Sequence, residues 1–235
     1  MIQSCIDYCE LKAFRLTEIE LESLKELKTP KGVVLKVSTQ NLDTEIIIVN
    51  KSANEVDFKV VLDKVLLIIS DKMYSDNGDS LAACVVREAT KKNITLSIAE
   101  SLTGGMLCSS IVDVAGSSKV LNEGFVTYSN EAKVRRLHVK LKTLEDKGAV
   151  SEETAREMVN GLLENKDISL AISTTGCAGP GSDEKNTPVG TAYIGYGDRN
   201  DIKVVKVDID GDRTTIRKTV TNLALYIDLI FIRIK

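Results

Sequence analysis

Ser101 stands where strand-like residues give way to glycine, and a small hydroxyl at such a junction can serve as a nucleophile. Ile94, Leu96 and Ile98 alternate with Thr95 and Ser97, the period of two that marks a strand. Glu100-Ser101 breaks the alternation, and Thr103-Gly104-Gly105 follows. The apolar residues from Met106 to Val112 then fit a helix. Gly104 and Gly105 let a ligand or another backbone come close, and the amide dipoles of that helix would favour an anion at its start. The same residues have a plain alternative, with Ser101 and Thr103 acting only as helix caps.

Other stretches carry groups that could complete such a site. Gly124 to Tyr128 reads as a strand running into Ser129, which can cap a short helix carrying Lys133. Tyr128 and Lys133 would then sit at one strand end, or alternatively serve as an edge aromatic and a surface lysine. Ile168 to Ile172 reads as a buried strand that ends in Ser173-Thr174-Thr175-Gly176-Cys177-Ala178-Gly179-Pro180-Gly181. A strand running into a glycine-rich loop is where open α/β sheets bind phosphate-bearing ligands. The loop lacks the Walker lysine and does not fit G-x-G-x-x-G, so it matches no standard nucleotide motif, and a tight turn that needs glycine explains it equally. Arg213 and Arg217 lie four apart at the start of the last helix. They could take a phosphate together or remain solvated charges. His138, the single histidine, sits in a basic stretch and reads as a surface or loop residue.

The elements that must hold these groups fall into two parts. Residues 1–76 read as a small α+β domain. A short strand (Leu11 to Leu16) precedes a helix opened by the capping box Thr17–Glu20, and Pro30-Lys31-Gly32 ends that helix. A hairpin follows (Val33 to Val37, then Ile46 to Val49). Ser52-Ala53-Asn54-Glu55 reads as a second capping box, before a helix with Val56, Val60, Val61, Val65, Leu66 and Ile69 on one face. Ser75-Asp76-Asn77-Gly78-Asp79 is a turn-rich junction, and residues 77–235 form the second domain. There Ser80 or Asp79 caps a helix to about Lys91, and Ser151 caps another with Ala155, Met158, Val159 and Leu162 inward. Val189 to Gly197 and Ile202 to Ile209 pair antiparallel. A last helix buries Ile216, Val220, Leu223, Ile227 and Ile230.

Composition limits the function classes. The apolar share is 43% and the charged share 28%, ordinary for a globular protein. With a net charge of -3, no tryptophan and no basic excess in either part, nucleic acid is not an expected partner. The five cysteines are spread out and odd in number, which argues for a reducing compartment. Cys5 and Cys9 could supply at most half of a metal site. No stretch has the apolar length of a membrane span, and the first residues carry Asp7 and Glu10 rather than a basic signal end, so the reading is cytoplasmic.

Taken in order, Ala99–Gly105, Gly116-Ser117-Ser118, Gly124–Lys133, Gly148–Ser151, Thr175–Gly181, Pro188–Thr191 and Gly211-Asp212-Arg213 strongly resemble the CinA C-terminal domain family. Residues 1–75 resemble, more weakly, the KH-like segment that precedes this domain in longer members. The resemblance implies a three-layer α/β/α fold with a mixed sheet, a homo-oligomer, and no metal or cofactor. It implies hydrolysis of nicotinamide mononucleotide to the nicotinate nucleotide and ammonia. Ser101 would be the nucleophile, Lys133 its base, and Tyr128 a partner of the pair or of the ring. Thr103, Gly104 and Gly105 would hold the oxyanion, while Thr175, Gly176, Gly179, Arg213 and Arg217 would bind ribose and phosphate. The alternative is a weak or inactive relative that binds nucleotides or partners. The chain departs from the family in one loop, which usually reads Ser-Pro-Glu-Lys-Pro before Val-Gly-Thr. Here Thr187 stands at the lysine position and Lys185 comes two residues early.

Overall fold

The computed structural model describes residues 8–52 and 54–235. The chain divides into two compact units, residues 1–84 and 85–235. In the first, β1 (Tyr8–Phe14), α1 (Glu18–Lys25), β2 (Val33–Gln40), β3 (Asp43–Asn50), α2 (Glu55–Ile69) and β4 (Met73–Ser75) form an α+β unit. Its antiparallel sheet has the order β2-β3-β1-β4, with β2 and β3 as the expected hairpin. Thr17 and Glu20 close a capping box at α1.

Two expectations change in this unit. Asn54, not Ser52, caps α2, its side-chain oxygen accepting from the N–H of Val56 and Asp57. The buried stripe of α2 is Phe58, Val61, Leu62, Val65 and Ile69, while Val56 and Val60 are exposed. A 3.6-residue repeat admits one stripe, and Phe58 rather than Val56 sets its phase. Cys9 is buried, and Cys5 lies outside the described residues, so the half metal site is not described as a pair.

From α3 (Leu81–Lys91), whose first residues belong to the first unit, the chain builds the second. β5 (Leu96–Glu100), α4 (Met106–Val112), β6 (Leu121–Val126), α5 (Asn130–Leu137) and α6 (Leu141–Lys147) come first. They are followed by α7 (Glu152–Leu163), β7 (Leu170–Gly176), β8 (Thr191–Gly197), β9 (Ile202–Asp208) and α8 (Arg213–Ile234). The sheet order is β6-β5-β7-β8-β9, parallel among the first three strands and antiparallel across the last three. The fold is therefore mixed α/β with two sheets, one of them a five-stranded mixed sheet.

Strand alternation assigns the faces of this sheet. Ala99 of β5 and Ala171 of β7 pack into a core with Leu137, Met158, Val159 and Leu162 from α5 and α7, and Ser173 donates to the carbonyl of Ala155 in α7. The intervening residues, Glu100 and Thr174, point the other way, toward α4 and the turn before it. Because β6, β5 and β7 run parallel, their C-terminal ends lie on one edge of the sheet. Open α/β sheets place ligands at that edge.

Asp212 caps α8, its side chain accepting from Thr215 N–H. Its buried stripe includes Ile216, Val220, Leu223, Leu229 and Ile232, whereas Ile227 is half-buried and Ile230 exposed. The same face buries Asp228, only 4% exposed, and burial pushes its carboxyl up to about 7. The native state thus holds a proton that the unfolded chain releases near pH 4. This removes stability as pH rises from about 4 to about 7, with no further change above. Asp228→Asn is expected to stabilise the protein relative to wild type by ~4 kcal/mol at pH 8 and little at pH 4. Urea denaturation of both proteins at the two pH values checks this, and an equal difference at both would refute it.

Candidate active site

The parallel strand ends bring three stretches to one cavity of about 460 Å³, a size suited to a small organic ligand. Ser101 and Leu102 follow β5, Tyr128 and Lys133 follow β6, and Thr175, Gly176 and Ala178 come from the end of β7. Arg213 at the start of α8 and the segment Ser182–Lys185 complete much of the wall.

Lys133 is fully buried, and its Nζ lies 3.1 Å from Ser101 Oγ. The helix that carries it starts where expected, with Ser129 Oγ accepting from Ala132 N–H. Nζ also donates to the carbonyls of Thr127 (2.8 Å) and Tyr128 (3.3 Å). An ammonium fills all three positions with its protons. A neutral amine keeps the two carbonyl bonds and turns its lone pair to the serine hydroxyl. Burial lowers the Lys133 ammonium to about 8, so the amine form is accessible near neutral pH. Thr127, beside this cage, has a buried hydroxyl without a partner among the described residues.

The turn before α4 differs from its expected role. Glu100 is fully buried, and its carboxylate accepts from Gly105 N–H (2.9 Å), Leu107 N–H (3.1 Å) and Cys108 N–H (2.8 Å). The chain itself therefore supplies the anion at the start of α4. Gly104 N–H is also taken, by the carbonyl of Ser101 at 3.2 Å. Thr103 is buried, its hydroxyl 2.7 Å from that of Thr174. Thr103, Gly104 and Gly105 consequently shape the turn from behind and do not line the cavity, whereas Leu102 does. Gly104 and Gly105 have φ of +61° and +94°, which glycine tolerates and most side chains do not. Burial, with the Glu100 carboxylate adding to it, holds the Cys108 thiol well above its ordinary value.

The two arginines separate. Arg217 donates from Nε to the carbonyl of Leu102 (2.9 Å) and from a terminal nitrogen to that of Thr103 (2.8 Å). It clamps the turn after Ser101 and does not line the cavity, so the structure gives it a place holding that turn rather than the expected phosphate contact. Arg213 faces the cavity, donating to the carbonyl of Gly179 (2.7 Å) and lying 3.3 Å from the Tyr128 hydroxyl. Tyr128 thus meets the lysine through its backbone and Arg213 through its ring hydroxyl.

Thr175 lines the cavity and donates to the carbonyl of Ala149 at 2.6 Å. Gly176 also lines it, and a Cβ there would fall 2.7 Å from that of Ala192 on β8. Gly179 contributes through its carbonyl rather than as cavity lining. Sequence reasoning gave no site role to Asn130, Leu144, Gly148 and Ala149, which also line the cavity, and Lys185, noted there only as displaced in its loop, lines it too. Only the alternating phase of β5, which places Glu100 on the α4 side, could have revealed the internal cap. His138 lies outside the site, paired with Glu164 on the surface at 2.8 Å. Among the described residues no helix is long and apolar enough to cross a membrane.

Comparison with known proteins agrees with the order of motifs. The profile of the CinA C-terminal domain matches residues 78–229. A CinA-like protein of Fusobacterium nucleatum is 37% identical over 96% of this chain and 56% of its own length. One of Kosmotoga olearia is 36% identical over 95% and 56%. The chain thus spans about half the length of these curated relatives. A CinA superfamily protein of Klebsiella pneumoniae superposes with a TM-score of 0.64 at 30% identity, covering 66% of this chain and 97% of that one. The competence/damage inducible protein CihA of Agrobacterium tumefaciens gives 0.62 at 37%, covering 65% and 93%. With the profile spanning most of the second unit, including Ser101 and Lys133, the chain belongs to the CinA C-terminal domain family.

Proposed function

We propose that the chain is an amidohydrolase that converts nicotinamide mononucleotide to nicotinate mononucleotide and ammonia. The observation that carries this reading is the buried Lys133 amine 3.1 Å from Ser101 Oγ, held from behind by two carbonyls. Hydrolysis of a carboxamide needs an activated nucleophile and a stabilised oxyanion. Neutral Lys133 takes the proton of Ser101 as Oγ attacks the carboxamide carbon. The resulting ammonium protonates the departing nitrogen, and ammonia leaves an acyl ester on Ser101. Water, deprotonated by the same amine, then cleaves that ester to the carboxylate and restores the serine. Leu102, directly after Ser101, lines the cavity, and in this reading its backbone N–H is the donor for the oxyanion. Arg213 supplies a cation for the phosphate at the opposite side of Tyr128.

Ammonia release from nicotinamide mononucleotide tests the reading directly. Wild type is expected to turn the substrate over, and Ser101→Ala to fall to background. Wild-type activity no greater than that of Ser101→Ala would leave a nucleotide- or partner-binding pocket instead.

A further inference from the structure

In the loop after β7, Thr187 and Lys185 take different places. Thr187 is turned away from the cavity: its N–H donates to Asp183 Oδ1 (2.8 Å) and its hydroxyl to Asp183 Oδ2 (2.8 Å). Asp183 Oδ1 also accepts from the N–H of Lys185 at 3.0 Å. One carboxylate therefore gathers the loop into a knot, and the knot presents Lys185 to the cavity. The Lys185 ammonium reaches across to the carbonyl of Glu145 in α6, at 2.5 Å. Its stem runs against Gly148, where an added Cβ would lie 2.9 Å from Lys185 Cγ. The positive φ of Gly148, +86°, and the passage of the lysine both call for glycine there.

We infer that Lys185 is a positioning residue for substrate: by strapping the Ser182–Thr187 loop to the end of α6, it fixes one wall of the cavity against which a mononucleotide seats. This rests on the amidohydrolase reading for the identity of the ligand. Ser101 and Lys133 are held by β5, α5 and the carbonyls of 127 and 128, and among the described residues neither makes a hydrogen bond to this loop. The strap therefore acts on binding and not on the chemical step. Interactions made equally to bound substrate and transition state change KM and leave kcat alone.

Steady-state kinetics of Lys185→Met, Lys185→Ala and Lys185→Arg test this together with hydrogen exchange of the 183–188 amides in the unliganded protein. Loss of the ammonium in the Met and Ala variants is expected to raise KM about threefold, the scale of a solvent-exposed charge contact, with kcat unchanged. Arg, which can also donate to a carbonyl, restores KM. Exchange of the loop amides is faster in Met than in wild type. An unchanged KM, a fall in kcat of the same size, or unchanged exchange would overturn the strap. If wild type shows no turnover, the amidohydrolase reading fails, while hydrogen exchange still decides whether Lys185 fixes the loop.

Discussion

Lys133→Met is expected to lower kcat for amide hydrolysis by about 10²–10⁴-fold, the range for loss of a positioned general base. Methionine matches the length and apolar stem of the lysine, so the substitution tests the amine rather than the packing. The pH profile gives the second half of the test. Burial has lowered the ammonium to about 8, so at pH 7 only about one molecule in ten carries the neutral amine. In wild type kcat/KM should climb with pH below about 8 and level off above it, and in Lys133→Met this rise should disappear. A wild-type profile flat from pH 6 to 9 would remove Lys133 from the role of base. The same shift has a sign for stability. The folded pKa lies below the unfolded value near 10.4, so the unfolded chain binds more protons between about 8 and 10.4, and Lys133 favours folding increasingly as pH rises through that window. Its burial therefore carries a stability cost at neutral pH, as expected of a group retained for chemistry.

The second large effect concerns a residue that touches no substrate. Glu100→Ala is expected to destabilise the protein by ~2–4 kcal/mol, because it leaves one buried and two part-buried N–H groups without their acceptor and removes charge-assisted bonds. α4 has no side-chain cap of its own: Gly105 stands at the N-cap position, and Glu100 reaches from the end of β5 to do the work. Activity should fall further than stability alone requires, since the turn from 101 to 105 hangs between Glu100 and the Arg217 clamp. Glu100→Gln keeps the size but turns an amide NH2 toward backbone donors, and is expected to be only partly better than alanine. Chemical denaturation gives the first number, and kcat measured well below the melting point gives the second. An Ala variant within 1 kcal/mol of wild type would show that water or rearrangement satisfies the turn without the carboxylate.

Much of the frame was legible from periodicity and caps. The hairpin of β2 and β3, the antiparallel pair β8 and β9, and the capping residues Thr17, Ser129 and Ser151 are local features, set by neighbours within a few residues. Local rules also misled where two local answers competed. Ser52 and Asn54 could each cap α2, and the phase of the helix stripe favoured Asn54. β7 runs on through Thr175 and Gly176, which had read as loop, because pairing with Tyr193 and Ala192 of β8 extends it. Strand pairing is a long-range term that sequence propensity does not contain.

Ser101 shows where the two kinds of information divide. The amino-acid sequence by itself determined that a serine follows a strand and precedes a glycine-softened helix start, and that a lysine stands early in another short helix. It also showed, through the order of motifs, the family to which the chain belongs. Only the tertiary structure decided that Lys133 is buried with its amine on Ser101, that Glu100 already occupies the helix start, and that Arg217 holds the turn while Arg213 faces the cavity. The physical reason is distance along the chain. Ser101, Lys133 and Arg213 meet because β5 and β6 pair in parallel and α8 returns to the same edge of the sheet. A parallel arrangement carries no short-range signature of which side chains its strand ends bring together.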